Sequence, residues 1–507
     1  MSGRVHKSIL NAKVNLLFYF LSLVLVFFSR KVFLDCLGNE FIGLAGTIGN
    51  ILGYLNLAEL GIGSCISFFL YKPLQTNDRI RTEEILSVFG YLYRWIGLII
   101  FVFGIIISLF LPIIFASASL DIRIIYFFYL TFLCSSLIGY FINYRQILLS
   151  ADQKEYLVAI YFQSARMLKI GMQIFLTLSY HNIYLWISIE FLFEIIGCIF
   201  LNWKINRVYP WLKVNKSNGR QLIKKYPEIL RNTRQIFIHR IKDFVLRQSD
   251  EIFIFAFTTL EMVTMYSNYN IIISKLTLLF NSALNSVGAG IGNLIAEGDK
   301  KKILCVFWEL TTIRHFIAGF ICFCIYNFIE PFICLWLGRE YVLNRTILIL
   351  FTIYIYIANS RNVVDSYNHS YGLYGDVWAA WAELIINICI TIAGGLLWGI
   401  SGILLGKIFS LLFIVVFWKP YYLFNTGLHL PVSIYWNGTI RYYIIFAISF
   451  IVASWATTIF PLSPYINFLT WIGYCMSGIS VYLLCNISML YIFAKGTKAF
   501  ISRLKQM

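Results

Sequence analysis

The stretch 87-SVFGYLYRWIGLIIFVFGIIISLFL-111 runs for 25 residues with a single charge, Arg94. About 20 apolar residues in a row suffice to cross the hydrocarbon core of a bilayer as a helix. Only a helix or a closed barrel satisfies its own backbone where there is no water. On either side of this stretch the pattern recurs, giving fourteen expected spans near 14–34, 43–70, 87–111, 124–149, 156–179, 183–203, 241–258, 265–292, 304–329, 345–364, 376–398, 400–418, 439–460 and 465–493. The expected fold class is an all-α integral membrane protein.

Composition agrees. Only 13% of the 507 residues are charged, where a soluble protein carries roughly a quarter, and the mean hydropathy is +0.76. Trp203, Trp336, Trp398, Trp418 and Trp436 fall near expected span ends, where amphipathic rings favour the membrane interface. The formal charge of +17 does not indicate nucleic acid, because the basic residues sit in alternate loops. The segments 1–13, 71–86, 150–155, 204–240, 293–303, 365–375, 419–438 and 494–507 hold 25 Lys and Arg; the segments 35–42, 112–123, 180–182, 259–264, 330–344, 399–400 and 461–464 hold only Arg123 and Arg339. The positive-inside rule then places both termini in the cytoplasm of a multi-pass protein.

Most of the eleven cysteines lie inside apolar runs, where they pack as small polarisable side chains. Cys322 and Cys324 form a C-x-C, but two residues apart on a helix they face different sides and make a poor metal pair. The first apolar run is followed by Arg30 and Lys31 rather than by small residues, so it is read as a membrane helix and not as a cleaved signal.

The segment 204–240 divides the chain after six spans and carries ten Lys and Arg against one acid, Glu228. It is read either as an ordinary cytoplasmic linker or as a stretch lying on anionic headgroups, each basic residue there contributing about 1 kcal/mol. The chain thus divides into 1–203, the linker 204–240, a second six-span part 241–420, and 421–507 with two last spans and a basic tail. A faint parallel repeat relates the two six-span parts. Aligning Glu40 with Glu261 sets Asp78 opposite Asp299, with the glycine-bearing stretches 58-AELGIGS-64 and 286-SVGAGIGN-293 between.

No nucleotide-binding loop is present; 402-GILLGKI-408 has the wrong spacing and lies within a span. There is no H-E-x-x-H and no nucleophile elbow, so no catalytic residue or metal ligand is assigned, and a transporter is expected rather than an enzyme. The informative residues are charges at bilayer depth, which are expensive unless paired or facing water. Arg166 and Lys169 share a face of the fifth span, Lys275 lies mid-span in the eighth, and Arg314 in the ninth with Glu309 about a turn and a half away. Arg30 and Lys31 sit towards the outer end of the first. Such cations suit a phosphate or pyrophosphate; alternatively each pairs with a buried acid such as Glu59, Glu190, Glu194 or Glu383. In 240-RIKDFVLRQSDE-251, Arg240, Asp243, Arg247 and Asp250 or Glu251 form one polar stripe. Glu59, Asp250, Glu251, Glu309 and Glu383 are candidates for cavity acids or for proton or sodium coupling, since a buried carboxyl can titrate near neutral pH. No other cofactor is expected.

Several stretches resemble the Wzx-type polysaccharide flippases of the multidrug/oligosaccharidyl-lipid/polysaccharide (MOP) exporter superfamily. They are 29-SRKVFLDCLGNEFIGL-44, 57-LAELGIGSCISFFLYKPL-74, 264-TMYSNYNIII-273, 306-VFWELTTI-313, 332-FICLWLGREYVL-343, 365-DSYNHSYGLYGDVWAAWAELIINI-388 and 399-GISGILLG-406. Their order and spacing carry the resemblance. It implies two six-helix lobes around a V-shaped cavity, plus two accessory C-terminal helices. It also implies translocation of undecaprenyl-pyrophosphate-linked oligosaccharide across a bacterial inner membrane, for O-antigen or capsule assembly. The implied partners are that lipid-linked oligosaccharide, membrane lipids, and a polysaccharide polymerase with other assembly proteins. Arg30, ahead of Gly38, resembles the first-helix arginine of the related lipid II flippases and is the best single carry-over. A multidrug antiporter of the same superfamily, with twelve helices and an acid-rich cavity, and a lipid II flippase are the alternatives. A membrane glycosyltransferase, ligase or polymerase needs larger outer loops or an acidic metal motif than this chain has. A purely structural scaffold leaves the mid-bilayer charges unexplained.

Overall fold

A hydrocarbon-embedded chain must close its backbone hydrogen bonds locally, and every regular element in the described residues is helical. The computed structural model describes residues 2–507 apart from 60–61, 153, 215–218, 231–232, 234–245, 247–248, 285–290, 292–293, 296, 374, 495 and 498–507. Of the expected polar stripe, Arg240, Asp243 and Arg247 lie outside the described residues, as does most of 286–293.

Two compact units are present, one formed by 1–255 with 259–264, the other by 256–258 with 265–507. In the first, α1 (Ser2–Leu37), α2 (Asn39–Leu55), α3 (Ile62–Gln75), α4 (Arg79–Ile114), α5 (Ile122–Phe141), α6 (Gln146–Ala151), α7 (Glu155–Tyr180) and α8 (Ile183–Val208) precede a short linker helix, α9 (Gly219–Lys225). Next come α10 (Asp250–Phe257) and α11 (Leu260–Leu284), which carry the chain into the second unit. There follow α12 (Lys300–Trp336), α13 (Arg345–Ser360), α14 (Asn362–Ser370), α15 (Val377–Trp398), α16 (Ile400–Ser410), a π-helical stretch Leu411–Trp418, α17 (Lys419–Tyr422), a second π-helical stretch Leu423–Leu428, α18 (Ser433–Ile459) and α19 (Phe468–Phe493).

Among the described residues, ten helices are long and apolar enough to cross a membrane. The other four expected spans fall short for visible reasons. The second is split into α2 and α3 by a 3₁₀ turn at Asn56–Glu59. The fifth, α7, carries Arg166 and Lys169, and the eighth, α11, carries Lys275 among polar residues. The seventh is described only at Leu246 and from Ser249 onward. Exposed apolar side chains recur along α1 at Leu16, Leu17, Phe20, Leu21, Val24 and Phe28, the i, i+4 stripe of a helix face turned to lipid.

Two expected cytoplasmic loops are shorter than hydropathy indicates. In place of a loop at 365–375, α14 continues to Ser370, and the helical run after α16 reaches Leu428. Asp365, Asn368 and His369 lower the local hydropathy, yet Tyr367 and Asn368 are buried, and the Tyr367 hydroxyl donates to the Ile303 carbonyl at 3.1 Å. Packing on α12 keeps the segment helical against its polarity.

Asp78 and Asp299, the pair aligned by the sequence repeat, play the same local part. Each is the N-cap of a long helix, accepting from Arg81 N in α4 (36 residues) and from Lys301 N and Lys302 N in α12 (37 residues). Each helix also carries a proline near its far end, Pro112 and Pro331. The described part of the linker folds onto α4. A Cβ on Gly219 would lie 2.3 Å from Tyr91 Cβ, and Lys225 reaches Glu84 at 2.7 Å. That pair is half exposed and contributes little; the close packing of Gly219 positions the linker.

In the second unit α15 and α16 form a hairpin turning at Gly399, whose φ of +54° suits glycine. A Cβ on Gly402 would stand 1.9 Å from the Gly394 carbonyl oxygen. Backbone meets backbone there, so no rotamer change relieves the clash. The pair α18 and α19 packs along α12, with Gly319 beneath Tyr482 and Gly478 beneath Phe328. Gly402→Ala is expected to lower the thermal unfolding midpoint of the detergent-purified protein, with a cost of about 1–3 kcal/mol from overpacking. Gly171→Ala, where a Cβ meets nothing within 4 Å, should leave the midpoint unchanged or raise it through better helix propensity.

Candidate functional site

In the first unit the charges expected at bilayer depth separate into three groups. The first joins α1, α2, α10 and α11. Glycines Gly43 and Gly46 turn a bare face of α2 towards α10 and α11; a Cβ on Gly43 would lie 2.0 Å from the Leu260 carbonyl oxygen, and one on Gly46 2.5 Å from Glu251 Oε2. That gap admits the Glu251 carboxylate, which accepts from Asn50 Nδ2 at 2.6 Å. Arg30 and Asp250 both act electrostatically on Glu251. The half-buried Arg30 guanidinium donates to the Thr264 carbonyl at 3.5 Å, and Thr264 Oγ1 donates to the Asn39 carbonyl at 2.5 Å. One cation and two acids from α1 and α10 thus share a neighbourhood braced by Asn50.

The second group lies across α7 and α8. Lys169 forms an ion pair with Glu190, and the buried Gln173 donates to Glu190 Oε2 at 3.1 Å and to the Trp186 carbonyl at 3.2 Å. Arg166 is exposed on α7 and acts electrostatically on Glu194, a helical turn beyond Glu190. The third group is Glu59 in the break between α2 and α3. It accepts from the Tyr93 hydroxyl and lies 2.7 Å from the Tyr140 hydroxyl, which stands 3.0 Å from Asn56 Oδ1. The 3₁₀ turn lets Asn56 and Glu59 both reach these buried phenols.

In the second unit Glu383 on α15 is 2% exposed and lies 4.0 Å from Arg361, whose Nε is 3.5 Å from Asp365. Glu309 on α12 is buried, with Cys305 Sγ 3.6 Å from its Oε1. Arg314 and Lys275 are half-buried on α12 and α11. Beside Arg314, His315 is held by the Tyr356 hydroxyl at 2.9 Å and stacks on Tyr442 of α18. No cluster of three or more His, Cys, Asp or Glu suited to a metal occurs among the described residues.

Sequence reading missed two interior cations. Arg361 sits at the junction of α13 and α14, where the apolar run was expected to end. Lys407 is buried in α16 with its Nζ 4.9 Å from the Tyr354 ring centroid, a cation–π contact. The signal for Lys407 was present, since 402-GILLGKI-408 places a lysine inside an apolar span; failing as a phosphate loop does not explain it.

Gly46→Ala is expected to displace the Glu251 carboxylate, raising its modification by a water-soluble carbodiimide several-fold, as read by peptide mass spectrometry. Gly49→Ala, on an open face of the same helix, should leave that rate unchanged. For the second group, Lys169→Met strands Glu190 and should destabilise by about 3 kcal/mol or more, read as detergent-melt stability. Lys169→Met with Glu190→Gln should recover most of the loss.

No family model matches the chain, and no curated protein does. Solved structures do. The chain is similar to the lipid II flippase MurJ in an inward closed conformation, at 17% identity over 95% of this chain and 99% of that one, with a TM-score of 0.68. It is similar to a multidrug resistance MATE family transporter of the MOP superfamily in its inward-facing conformation, at 12% identity over 83% and 99%, with a TM-score of 0.60. A Vibrio cholerae MATE transporter aligns at 13% identity over 84% and 99%, with a TM-score of 0.51. At these identities the likeness establishes architecture: the chain has the MOP/MATE-like fold.

Proposed function

We propose that this chain moves undecaprenyl-pyrophosphate-linked oligosaccharide from the cytoplasmic to the periplasmic leaflet of a bacterial inner membrane, by alternating access, in O-antigen or capsule assembly. The observation that carries this reading is the likeness in fold, over 95% of the chain, to a protein named as a lipid II flippase. The interior charges supply a chemical reason. A pyrophosphate loses its hydration on entering a low-dielectric site and needs fixed donors in exchange. Arg30 leads that role, with Arg166, Lys275 and Arg314 as further candidates and the half-buried Arg361 and buried Lys407 added. Lys169 contributes when its pair with Glu190 opens. In this scheme the headgroup enters from the cytoplasmic side and is released outside, while its lipid tail stays in the bilayer. Glu59, Asp250, Glu251, Glu309 and Glu383 are the carboxyls through which a proton or sodium gradient would drive the cycle. Membrane lipids, and a polymerase with other assembly proteins, are the partners proposed.

A second reading, ion-coupled multidrug antiport, is favoured by the match to the MATE transporter at a TM-score of 0.60. One experiment separates the two. Cells that make the cognate glycan but lack their own flippase are complemented with this chain, and undecaprenyl-linked oligosaccharide is labelled from outside. Wild type should restore labelling. Arg30→Ala should lower it roughly 10- to 100-fold, the loss of one charge-assisted contact, and Arg30→Lys should recover part of it, since charge returns without bidentate geometry. No restoration by well-expressed wild type, with proton-dependent efflux of an organic cation, would establish antiport instead.

A further inference from the structure

A cavity of about 520 Å³ lies in the second unit, where the end of α12, the start of α13, and the α18–α19 hairpin with its connecting segment come together. Its volume falls in the range of roughly 300–1,000 Å³ common for small-ligand sites. None of the charges invoked above belongs to it.

Its walls combine four chemistries. Arg345 places its guanidinium 5.3 Å from the Tyr326 ring centroid and donates to the Tyr326 hydroxyl at 3.3 Å. Glu330 accepts from the Tyr465 hydroxyl at 3.3 Å. Burial, and then the neighbouring Glu330, push the Tyr465 phenol up to about 12, so it remains a donor at neutral pH. Asn327 Nδ2 donates to Ser454 Oγ at 3.0 Å. Beside them Trp455 is 66% exposed. A carboxylate with free lone pairs accepts from hydroxyls, a guanidinium donates to ring and hydroxyl oxygens, and an open indole offers a flat apolar face. Together they match a polyhydroxylated ring, which is polar at its rim and apolar on its C–H faces.

An indole at this depth is also what a membrane-interface anchor requires. Anchoring, however, needs neither a concavity nor a carboxylate and a guanidinium beside the ring. Trp398, at the turn of the α15–α16 hairpin, is likewise 62% exposed but does not line this cavity. The distribution of Lys and Arg puts the connecting segment 460–467 on the outer side of the membrane.

We propose that this cavity is a carbohydrate-binding site, separate from the pyrophosphate-binding charges, which receives the glycan portion on the outer side. Trp455 stacks on a sugar ring while Glu330 and Arg345 engage its hydroxyls. The choice of a glycan as occupant rests on the flippase reading; the position and chemistry of the cavity do not.

The test uses the full chain in nanodiscs and, as probe, the free oligosaccharide released from the host's lipid-linked pool by mild acid. Binding is measured by saturation-transfer NMR, and outside labelling is measured in cells for the same variants. Trp455→Ala and Glu330→Gln should each weaken probe binding at least 10-fold. Trp398→Ala should leave it unchanged. Equal binding by wild type and the two cavity variants, or no binding by a folded wild type that restores outside labelling, overturns the site. Probe binding sensitive to Trp455 in a protein that fails to restore labelling keeps the site and removes the flippase reading. A Trp398→Ala loss equal to that of Trp455→Ala also overturns it, because anchoring would then explain both.

Discussion

A charge held within hydrocarbon must be answered by another group, and the rest of the interior is organised around that requirement. Lys169 is answered by Glu190, Arg361 by Asp365 and Glu383, Lys407 by the Tyr354 ring, and Arg30 by the Thr264 carbonyl. Different chemistries meet the same need. A carboxylate neutralises its cation outright, and Arg30, besides its carbonyl contact, lies within electrostatic reach of Glu251.

Glycine makes these arrangements sterically available. Gly46 admits the Glu251 carboxylate beside α2, and Gly43 seats the same helix on the Leu260 backbone. At Gly43, Gly394 and Gly402 the close approach is to backbone rather than to side chain. Association of helices in lipid gains little from burying apolar surface and more from such close approach. Polar groups are thereby fixed by rigid elements, not by flexible side chains reaching across a gap.

Much of the helical architecture was legible in the sequence, because hydropathy reports on the bilayer directly. The N-cap pair Asp78 and Asp299 even emerged from a weak internal repeat. What averaging over a window obscured was local polarity inside a helix. Asp365 and Asn368 read as the start of a loop, although Tyr367 between them is buried against α12. Candidate charges were legible as individuals, since any charge in an apolar run stands out. Their partners were not, because Glu190 lies 21 residues from Lys169 and Glu251 lies 201 from Asn50. Lys407 differs in that its partner is an aromatic ring on another helix, Tyr354 of α13, which no charge pattern in the sequence reveals.

The backbone contact between Gly394 and Gly402 has a mechanical consequence. Two helices touching at that distance cannot slide or roll past each other without first separating, so α15 and α16 move as one stiff strut. Before this strut the helical path is interrupted between Ser370 and Val377, and after it the hydrogen bonding changes to the π-helical stretches from Leu411 to Leu428. Such irregularities are where a helix bends most easily. Displacement applied at the Glu383 end therefore arrives at the Gly399 turn undiminished, and the deformation is taken up by the joints at either end.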